Sequence, residues 1–285
     1  MRWGVEKRLE FIEFRLFWEG GINRSDITEQ FGVSVPQASK DLTLYEMKAP
    51  GNLVYDRSAK RYLASSTFRP LFLVPQASTY LSQLSASLRT SPEAIESWLA
   101  VAPDCDIMPL PYRRVQVEVL RPMLETIRNK RAIDIEYQSM NKTRPEPEWR
   151  RISPHALAHD GLRWHVRAYC HLDHKFKDFI LSRCLSVGAQ HEQGARAEED
   201  RLWQEIFELK LVPNERLSKA QRTIISNDYE MVSGTVVIPV RKALLYYFEK
   251  RLRLDVTDLI DQAHEAPVVV SNRVAFNAAL KEATS

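Results

Sequence analysis

A glycine at position 32, followed by Ser34-Val35-Pro36-Gln37, sets the tightest constraint on this chain: two helices must meet there within a few residues. Glycine takes up a positive φ at low cost. Serine caps a helix, proline is accommodated in the first turn, and Gln37 can complete a capping box. The helix leading into the turn spans Arg24 to Phe31, with Asn23 as its N-cap. Before it, Leu9, Ile12, Phe14, Leu16 and Phe17 recur among charges from Val5 to Trp18, a helical pattern ended by Gly20-Gly21. In the helix after the turn, Val35, Ala38, Leu42 and Tyr45 share one face, and Gln37, Ser39, Lys40 and Thr43 point outward. Pro50-Gly51 breaks the chain, and LVYDRSAKRYLA then reads as a β-hairpin around Arg57 to Lys60.

Three helices, a tight glycine turn and a basic hairpin make a winged helix-turn-helix over residues 1–67. Its candidate DNA-binding residues are Ser34, Gln37, Ser39, Lys40 and Thr43 on the third helix, with Arg57, Lys60 and Arg61 on the hairpin. Gln37 suits base edges, Lys40 a phosphate, and Ser39 or Thr43 either, while the hairpin cations reach flanking backbone. A three-helix protein–protein module with a solvated polar face is the competing reading. The turn and the hairpin charge favour DNA.

A second stretch, GLRWHVRAYC from Gly161 to Cys170, alternates as a strand. Trp164, Val166, Ala168 and Cys170 form an apolar face, and Arg163, His165, Arg167 and Tyr169 a row of donors and cations. The net charge of +3 proves no nucleic-acid partner, but residues 121–190 carry thirteen Lys/Arg against eight Asp/Glu, and five of the seven histidines. Around this strand, a helix from Val115 to Lys130 is followed by strands at Ala132–Ser139, Arg150–Ser153, Leu162–Cys170 and Lys177–Ser182, a small antiparallel β-domain. Residues 68–130 read as a helical connector, mostly helical from Phe68 to Pro109, with Tyr80, Leu81, Leu84 and Leu88 as core, and Asp104-Cys105-Asp106 as an exposed acidic turn. Beyond residue 190 we expect a helix at Glu198–Leu211, a strand at Gly234–Pro239, a basic amphipathic helix at Arg241–Leu254, and strands at Pro267–Val270 and Arg273–Phe276. The chain is therefore an α+β multidomain protein. Its three cysteines, without close-pair spacing, and the absence of a membrane-spanning apolar run or a signal-peptide core point to a reduced, cytoplasmic setting.

RISPHAL, GLRWHVRAY and FILSR, in that order, resemble the WYL-domain transcription regulators of bacteria, with Trp164-His165-Val166 at the name triplet. Histidine stands where the family carries tyrosine, and valine where it carries leucine. QASKDLTLYE, NLVYDRSAKRY and LLYYFEKRLRLD carry a closer similarity to the BrxR/CapW group of repressors beside phage-defence islands. The resemblance covers nearly the whole chain. It implies a winged helix-turn-helix (1–67), a helical connector (68–130), a WYL domain built as an Sm-like small β-barrel that senses a ligand (131–190), and a C-terminal α+β extension, WCX-like and dimerising (191–285). It also implies a homodimer on an inverted-repeat operator in double-stranded DNA, and an effector that is a nucleotide or single-stranded nucleic acid. By position, the ligand pocket would draw on Tyr137, Ser139, His155, His165, Arg167, Tyr169 and Arg183, with Ser153 and Arg163 as weaker members.

Read from the residues alone, the Arg-x-His-x-Arg-x-Tyr face has three uses. It can be merely solvated, it can bind metal with Cys170, His171 and His174, or it can bind an anion. Metal is undercut because Cys170 and His165 point to opposite faces and the arginines repel a dication. An anion fits the local charge, and Arg167 is the expected anchor. A nucleic-acid-processing enzyme or nuclease using His165, Arg167 and Tyr169 is the alternative class. No Walker loop, nucleophile elbow, HExxH or carboxylate cluster supports it, so no catalytic residue, cofactor, metal or membrane partner is expected.

Overall fold

The computed structural model describes residues 3–89, 98–109, 111, 113–140, 142, 144–260 and 262–284. The chain divides into two compact units, Met1–Pro109 and Leu110–Ser285.

The first unit opens with α1 (Trp3–Glu19), β1 (Gly21–Ile22), α2 (Arg24–Phe31) and α3 (Val35–Lys48). Asn23 and Asp26 form a reciprocal capping box at the start of α2, and Gly32 takes the left-handed conformation at φ 61°. The hairpin follows as β2 (Leu53–Asp56) and β3 (Arg61–Ala64), and β1 adds to it in the order β1-β3-β2. Leu9, Ile12 and Leu16 of α1 pack with Ile27, Ala38, Leu42 and Tyr45. Two details differ from expectation. Val35 is 57% exposed, because the first turn of α3 projects beyond the core. Gln37 closes no capping box: its Nε2 donates to Asp41 Oδ1 (3.0 Å), a helical i,i+4 partner. After the hairpin, the expected long helical connector reduces, among the described residues, to α4 (Ala77–Arg89). Leu84 is buried and Tyr80 stacks on Phe14, whereas Leu81 is exposed and the Leu88 side chain lies outside the described residues.

A buried carboxylate fastens the segment after the hairpin to this core. Glu13, fully buried on α1, accepts from the backbone N–H groups of Leu71, Phe72 and Leu73 (2.6–2.9 Å) and from the Tyr45 hydroxyl (3.0 Å). Asn52 in turn donates to the Tyr45 oxygen (2.9 Å) and to the Arg69 carbonyl (2.7 Å). Such a carboxylate is tolerated in the interior only because its lone pairs are filled.

The second unit begins with α5 (Val117–Arg128) and continues through β4 (Ala132–Tyr137), β5 (Glu148–His159), β6 (Trp164–Cys170), β7 (Lys175–Ile180) and β8 (Cys184–His191). These strands form one antiparallel sheet in the order β7-β6-β5-β4-β8. No ladder joins β7 to β8 among the described residues, so the sheet is open rather than the closed barrel that the resemblance implies. Val119 and Met123 of α5 cover Ile133, Ile135, Ile152, Val166, Ala168 and Cys170. We expected a strand ending at Ser153, before Pro154, but β5 runs on to His159. A register shift between Pro154 and Ala156 absorbs the residue that has no N–H to donate.

The remainder comprises α6 (Arg201–Gln204), β9 (Ile206–Pro213), α7 (Lys219–Asp228), β10 (Val236–Arg241), α8 (Leu245–Arg251), β11 (Val268–Val270) and α9 (Arg273–Thr284). Its sheet has the order β10-β9-β11 over a core of Leu209, Leu211, Val240, Leu245 and Phe276. Two expectations are corrected here. The helix expected at 198–211 is the short α6 and then β9, where buried Leu209 and Leu211 alternate with exposed Glu208 and Lys210. The strand expected at 273–276 is the first turn of α9: Val274 is 87% exposed while Phe276 and Ala279 are buried, a spacing of three. Cys105, Cys170 and Cys184 are free thiols. Among the described residues, no helix is long and apolar enough to cross a membrane.

Candidate functional site

Two sets of residues require placement: the outward face of α3 with its hairpin, and the polar face of β6. On α3, Ser34, Lys40 and Thr43 are exposed, and Gln37 and Ser39 half-buried. The Ser34 hydroxyl accepts from the Gln37 N–H (3.4 Å), and Thr43 Oγ1 donates to the Ser39 carbonyl (3.0 Å). Buried Asp41, opposite Ser39 and Thr43 but on the same face as Gln37, receives Arg8 Nε (2.7 Å) and Nη2 (3.2 Å), which locks α3 against α1, and it also holds the Gln37 side chain (3.0 Å). The helix therefore presents its polar side from a fixed base.

In the hairpin, Asp56 accepts from the Ser58 hydroxyl (2.6 Å) and from the N–H groups of Ser58 (2.8 Å) and Ala59 (3.1 Å), which hold its carboxyl below the usual range. Lys60 adopts φ 49° at the tip, and Arg57 and Lys60 are exposed. Arg61 turns inward, donating from Nη2 to the Gly21 carbonyl (2.6 Å). A Cβ on Gly21 would lie 2.7 Å from Arg61 Nε and from the Tyr62 carbonyl. Gly20-Gly21 reads in sequence as a helix stop, yet Gly21 also admits the close approach of β3. That role carries no signal without the sheet pairing.

On β6 the apolar face holds Val166, Ala168 and Cys170 in the core, while Trp164 is 50% exposed and lies tilted against the His159 ring (4.8 Å). The polar face is buried as well. Arg167 is 4% exposed and His165 1%. Arg167 donates from Nε (2.7 Å) and Nη2 (3.0 Å) to the two oxygens of Asp200, and from Nη1 to Asp178 (3.3 Å). His155 Nε2 meets Asp200 Oδ2 at 2.9 Å, and the Tyr247 hydroxyl donates to Asp178 (3.1 Å). Burial alone would raise the Asp200 carboxyl, but the hydrogen bonds from His155 and Arg167 outweigh it and bring it down to about 2. Burial would lower the Arg167 guanidinium, and the paired aspartates raise it instead.

His165 Nε2 lies 2.9 Å from Asp160 Oδ2, and its ring lies 4.6 Å from that of Tyr247. Its Nδ1 is buried without a hydrogen-bond partner, so the Nε2 proton points at the carboxylate. Asp160 also accepts from Arg163 Nε (2.8 Å) and from the N–H groups of Leu162 and Arg163. These bonds overcome burial and hold its carboxyl well below the ordinary range.

The other expected ligand residues separate. Tyr169 is half-buried, edge-on to Phe176 (5.3 Å) and His171 (5.5 Å). Ser153 Oγ bonds His171 Nε2 (2.9 Å) and accepts from the Gly194 N–H (3.0 Å). Tyr137 lies in the apolar core on the opposite face, its hydroxyl accepting from the Ile180 N–H (3.2 Å) with Arg183 alongside. Ser139 is half-buried beyond the end of β4. The structure thus joins His155 and Arg167 through Asp200, brings His165 beside them through Tyr247, and leaves Tyr137 across the sheet.

Four partners escaped the sequence reading: Asp160, Asp178, Asp200 and Tyr247. Asp178 was within reach, because a hairpin folded at His171–His174 sets Arg167 directly opposite Asp178. Asp200 and Tyr247 lie far along the chain and give no local signal. The metal reading also separates: the Cys170 thiol donates to Asp173 (3.4 Å) while His171 bonds Ser153, and no group of three or more potential ligands occurs among the described residues.

Comparison with known proteins matches three family models: the BrxR transcriptional regulator winged helix-turn-helix domain over residues 4–86, the WYL domain over 118–188, and the BrxR transcriptional regulator C-terminal dimerization domain over 206–276. The DNA-binding transcriptional repressor CapW of Escherichia coli (strain KTE188) is 38% identical over 286 residues, 99% of this chain and 93% of the relative. CapW of Pseudomonas aeruginosa is 41% identical over 273 residues (94% and 88%), and that of Stenotrophomonas maltophilia 38% over 275 (95% and 91%). Among solved structures, proteasome accessory factor B/C (PafBC) of Arthrobacter aurescens aligns at 15% identity with a TM-score of 0.30, covering 97% of this chain and 46% of that one, a likeness too slight to inform fold or function.

Proposed function

The chain belongs to the BrxR/CapW family of DNA-binding transcriptional repressors, and on that premise we propose how its own residues perform the task. It is a regulator rather than an enzyme, with operator DNA and a second copy of itself as partners. In this reading α3 enters the major groove, where Gln37, Ser39 and Thr43 face base edges and Lys40 a phosphate. Ser34 adds its exposed N-cap to the backbone contacts, and Arg57 and Lys60 reach flanking phosphates from the hairpin. Arg61 serves first to hold the hairpin to β1. Two copies joined through the C-terminal domain would read an inverted repeat, with half-sites about 34 Å or a multiple of it apart.

The observation that carries this reading is the mounting of α3. Asp41 and Arg8 pin its inner side, while Lys40 and Thr43 stay exposed on the outer one. The five-stranded sheet with its leading helix supports an incompletely closed Sm-like domain, which we read as the sensor of an anionic effector, a nucleotide or single-stranded nucleic acid. The controlled genes would be a phage-defence operon, and the setting cytoplasmic.

Gel-shift titration of the DNA upstream of the protein's own gene tests the reading. Binding to an inverted repeat there, abolished by Lys40→Ala with Gln37→Ala in a folded protein, is the expected result. Unchanged affinity in the double variant would remove α3 from the recognition role.

A further inference from the structure

The cationic face of β6 is neutralised from within. Two arginines of the C-terminal module are not. Arg241, at the end of β10, and Arg251, at the end of α8, line a cavity of about 680 Å³ between the C-terminal end of β5 and the C-terminal sheet. Among the described residues neither arginine forms an ion pair. Arg241 lies over the Trp203 ring (4.8 Å) and donates to the Trp203 carbonyl (2.5 Å), and Arg251 donates to the Asp160 carbonyl (3.4 Å). Asp160 is the one carboxylate in the cavity lining, and Arg163 and His165 already engage it. The cavity therefore holds two uncompensated guanidinium groups against walls that include the rings of Trp203, Tyr247 and Phe248. Gly161 makes room for one of them, since a Cβ there would collide with the Arg251 guanidinium.

We propose that this cavity, formed where Arg241 and Arg251 face Trp203, Tyr247 and Phe248, binds a small planar aromatic anion, its ring stacked on the aromatic side chains and its phosphate or carboxylate on the guanidinium groups. The volume lies within the range of roughly 300–1,000 Å³ usual for small-ligand sites. Guanidinium donors form a planar fork that matches both anions, and aromatic side chains favour stacked planar rings. The site rests on the anionic-effector reading and moves its cationic anchor from Arg167 to the C-terminal module. It also supplies a coupling route. The cavity is walled on one side by the five-stranded sheet and on the other by the dimerisation module, so a ligand there binds differently as that spacing changes.

Calorimetric titration of the full-length protein with adenosine monophosphate, and separately with a short 5′-phosphorylated oligothymidylate, tests the proposal and distinguishes a free nucleotide from a strand end. At least one probe is expected to bind, with affinity reduced tenfold or more by Arg251→Glu and by Arg241→Gln. Arg251→Glu, at the exposed rim, should keep the wild-type melting temperature and operator affinity, so the test survives if Arg241→Gln fails to fold. Binding of neither probe at millimolar concentration would overturn the proposal, while operator release by another anion would still uphold the effector reading. Binding lost in Tyr169→Ala but unchanged in Arg251→Glu would overturn the placement and return the effector to the face of β6.

Discussion

Arg167 grips Asp200 with two hydrogen bonds, 2.7 Å from Nε and 3.0 Å from Nη2, on the face of the sheet that the sequence presents as a free cationic wall. Asp178 takes a third guanidinium N–H (3.3 Å), and Tyr247 and His155 each add a hydrogen bond, to Asp178 and Asp200 respectively. Two aspartates on one arginine leave no surplus positive charge for a phosphate. The triad instead ties the sheet to the segment that leads into the C-terminal module.

Arg167→Ala is therefore expected to act through stability. It leaves buried Asp200 and half-buried Asp178 without their guanidinium counter-ion, at a cost of about 3–5 kcal/mol. Denaturant unfolding measures this, and Arg167→Met combined with Asp200→Leu should recover part of the loss because the largest desolvated pair is then absent. A folded Arg167→Ala protein with wild-type stability would show that the triad contributes nothing.

Asp200 sets an acid limit. Its carboxyl falls from an ordinary 3.8 to about 2 on folding, because the hydrogen bonds from His155 and Arg167 outweigh the burial that opposes them. The stabilisation is fully present above the unfolded value and is lost as pH falls through the folded one. By pH 2 it amounts to a loss of about 2 kcal/mol. Between pH 5 and pH 2, Asp200→Asn should lose less stability than the wild type by that amount, as read from urea midpoints.

Lys40→Ala and Arg57→Ala should each weaken operator binding without changing the melting temperature. Each should also reduce the slope of log K against log salt by about 1.8 for the dimer, twice the value of about 0.9 for one phosphate contact. Arg61→Ala should differ: its guanidinium holds the Gly21 carbonyl, so a fall in melting temperature should accompany any fall in affinity. Equal behaviour of Arg57→Ala and Arg61→Ala in both assays would dissolve the distinction.

Glu13→Ala should destabilise the winged-helix unit by about 3 kcal/mol, because it strips an acceptor from three backbone N–H groups and from the Tyr45 hydroxyl. Hydrogen exchange at Leu71–Leu73 should accelerate. Protection unchanged at those amides would show that water replaces the carboxylate without cost.

The helix-turn-helix was legible because its signals are local. Asn23 capping, the left-handed Gly32 and the Ser34 cap act within four residues of themselves, and the structure forms α2 and α3 where they point. The order of 115–182, one helix and then a run of strands, followed for the same reason, from period-two and period-three-to-four patterns long enough to read. Short patterns misled. Val274 and Phe276, two apart, read as one face of a strand, whereas in the helix they point to opposite sides and Phe276 sides with Ala279 and Leu280. The Ser218–Gln221 capping box that starts α7 is a signal of the same local kind.

Charge type was written in the sequence, and charge availability was not. The alternation of Arg163, His165, Arg167 and Tyr169 is a property of ten consecutive residues. Whether those cations face a ligand or an aspartate depends on Asp200, 33 residues along the chain from Arg167, and on Tyr247, 69 residues from Asp178. A long-range carboxylate leaves no periodic trace, because any surface segment can carry one. Only the folding of α6 and α8 against the sheet brings these groups within 3.1 Å of Arg167 and Asp178, and burial then decides that they pair with each other instead of with solvent.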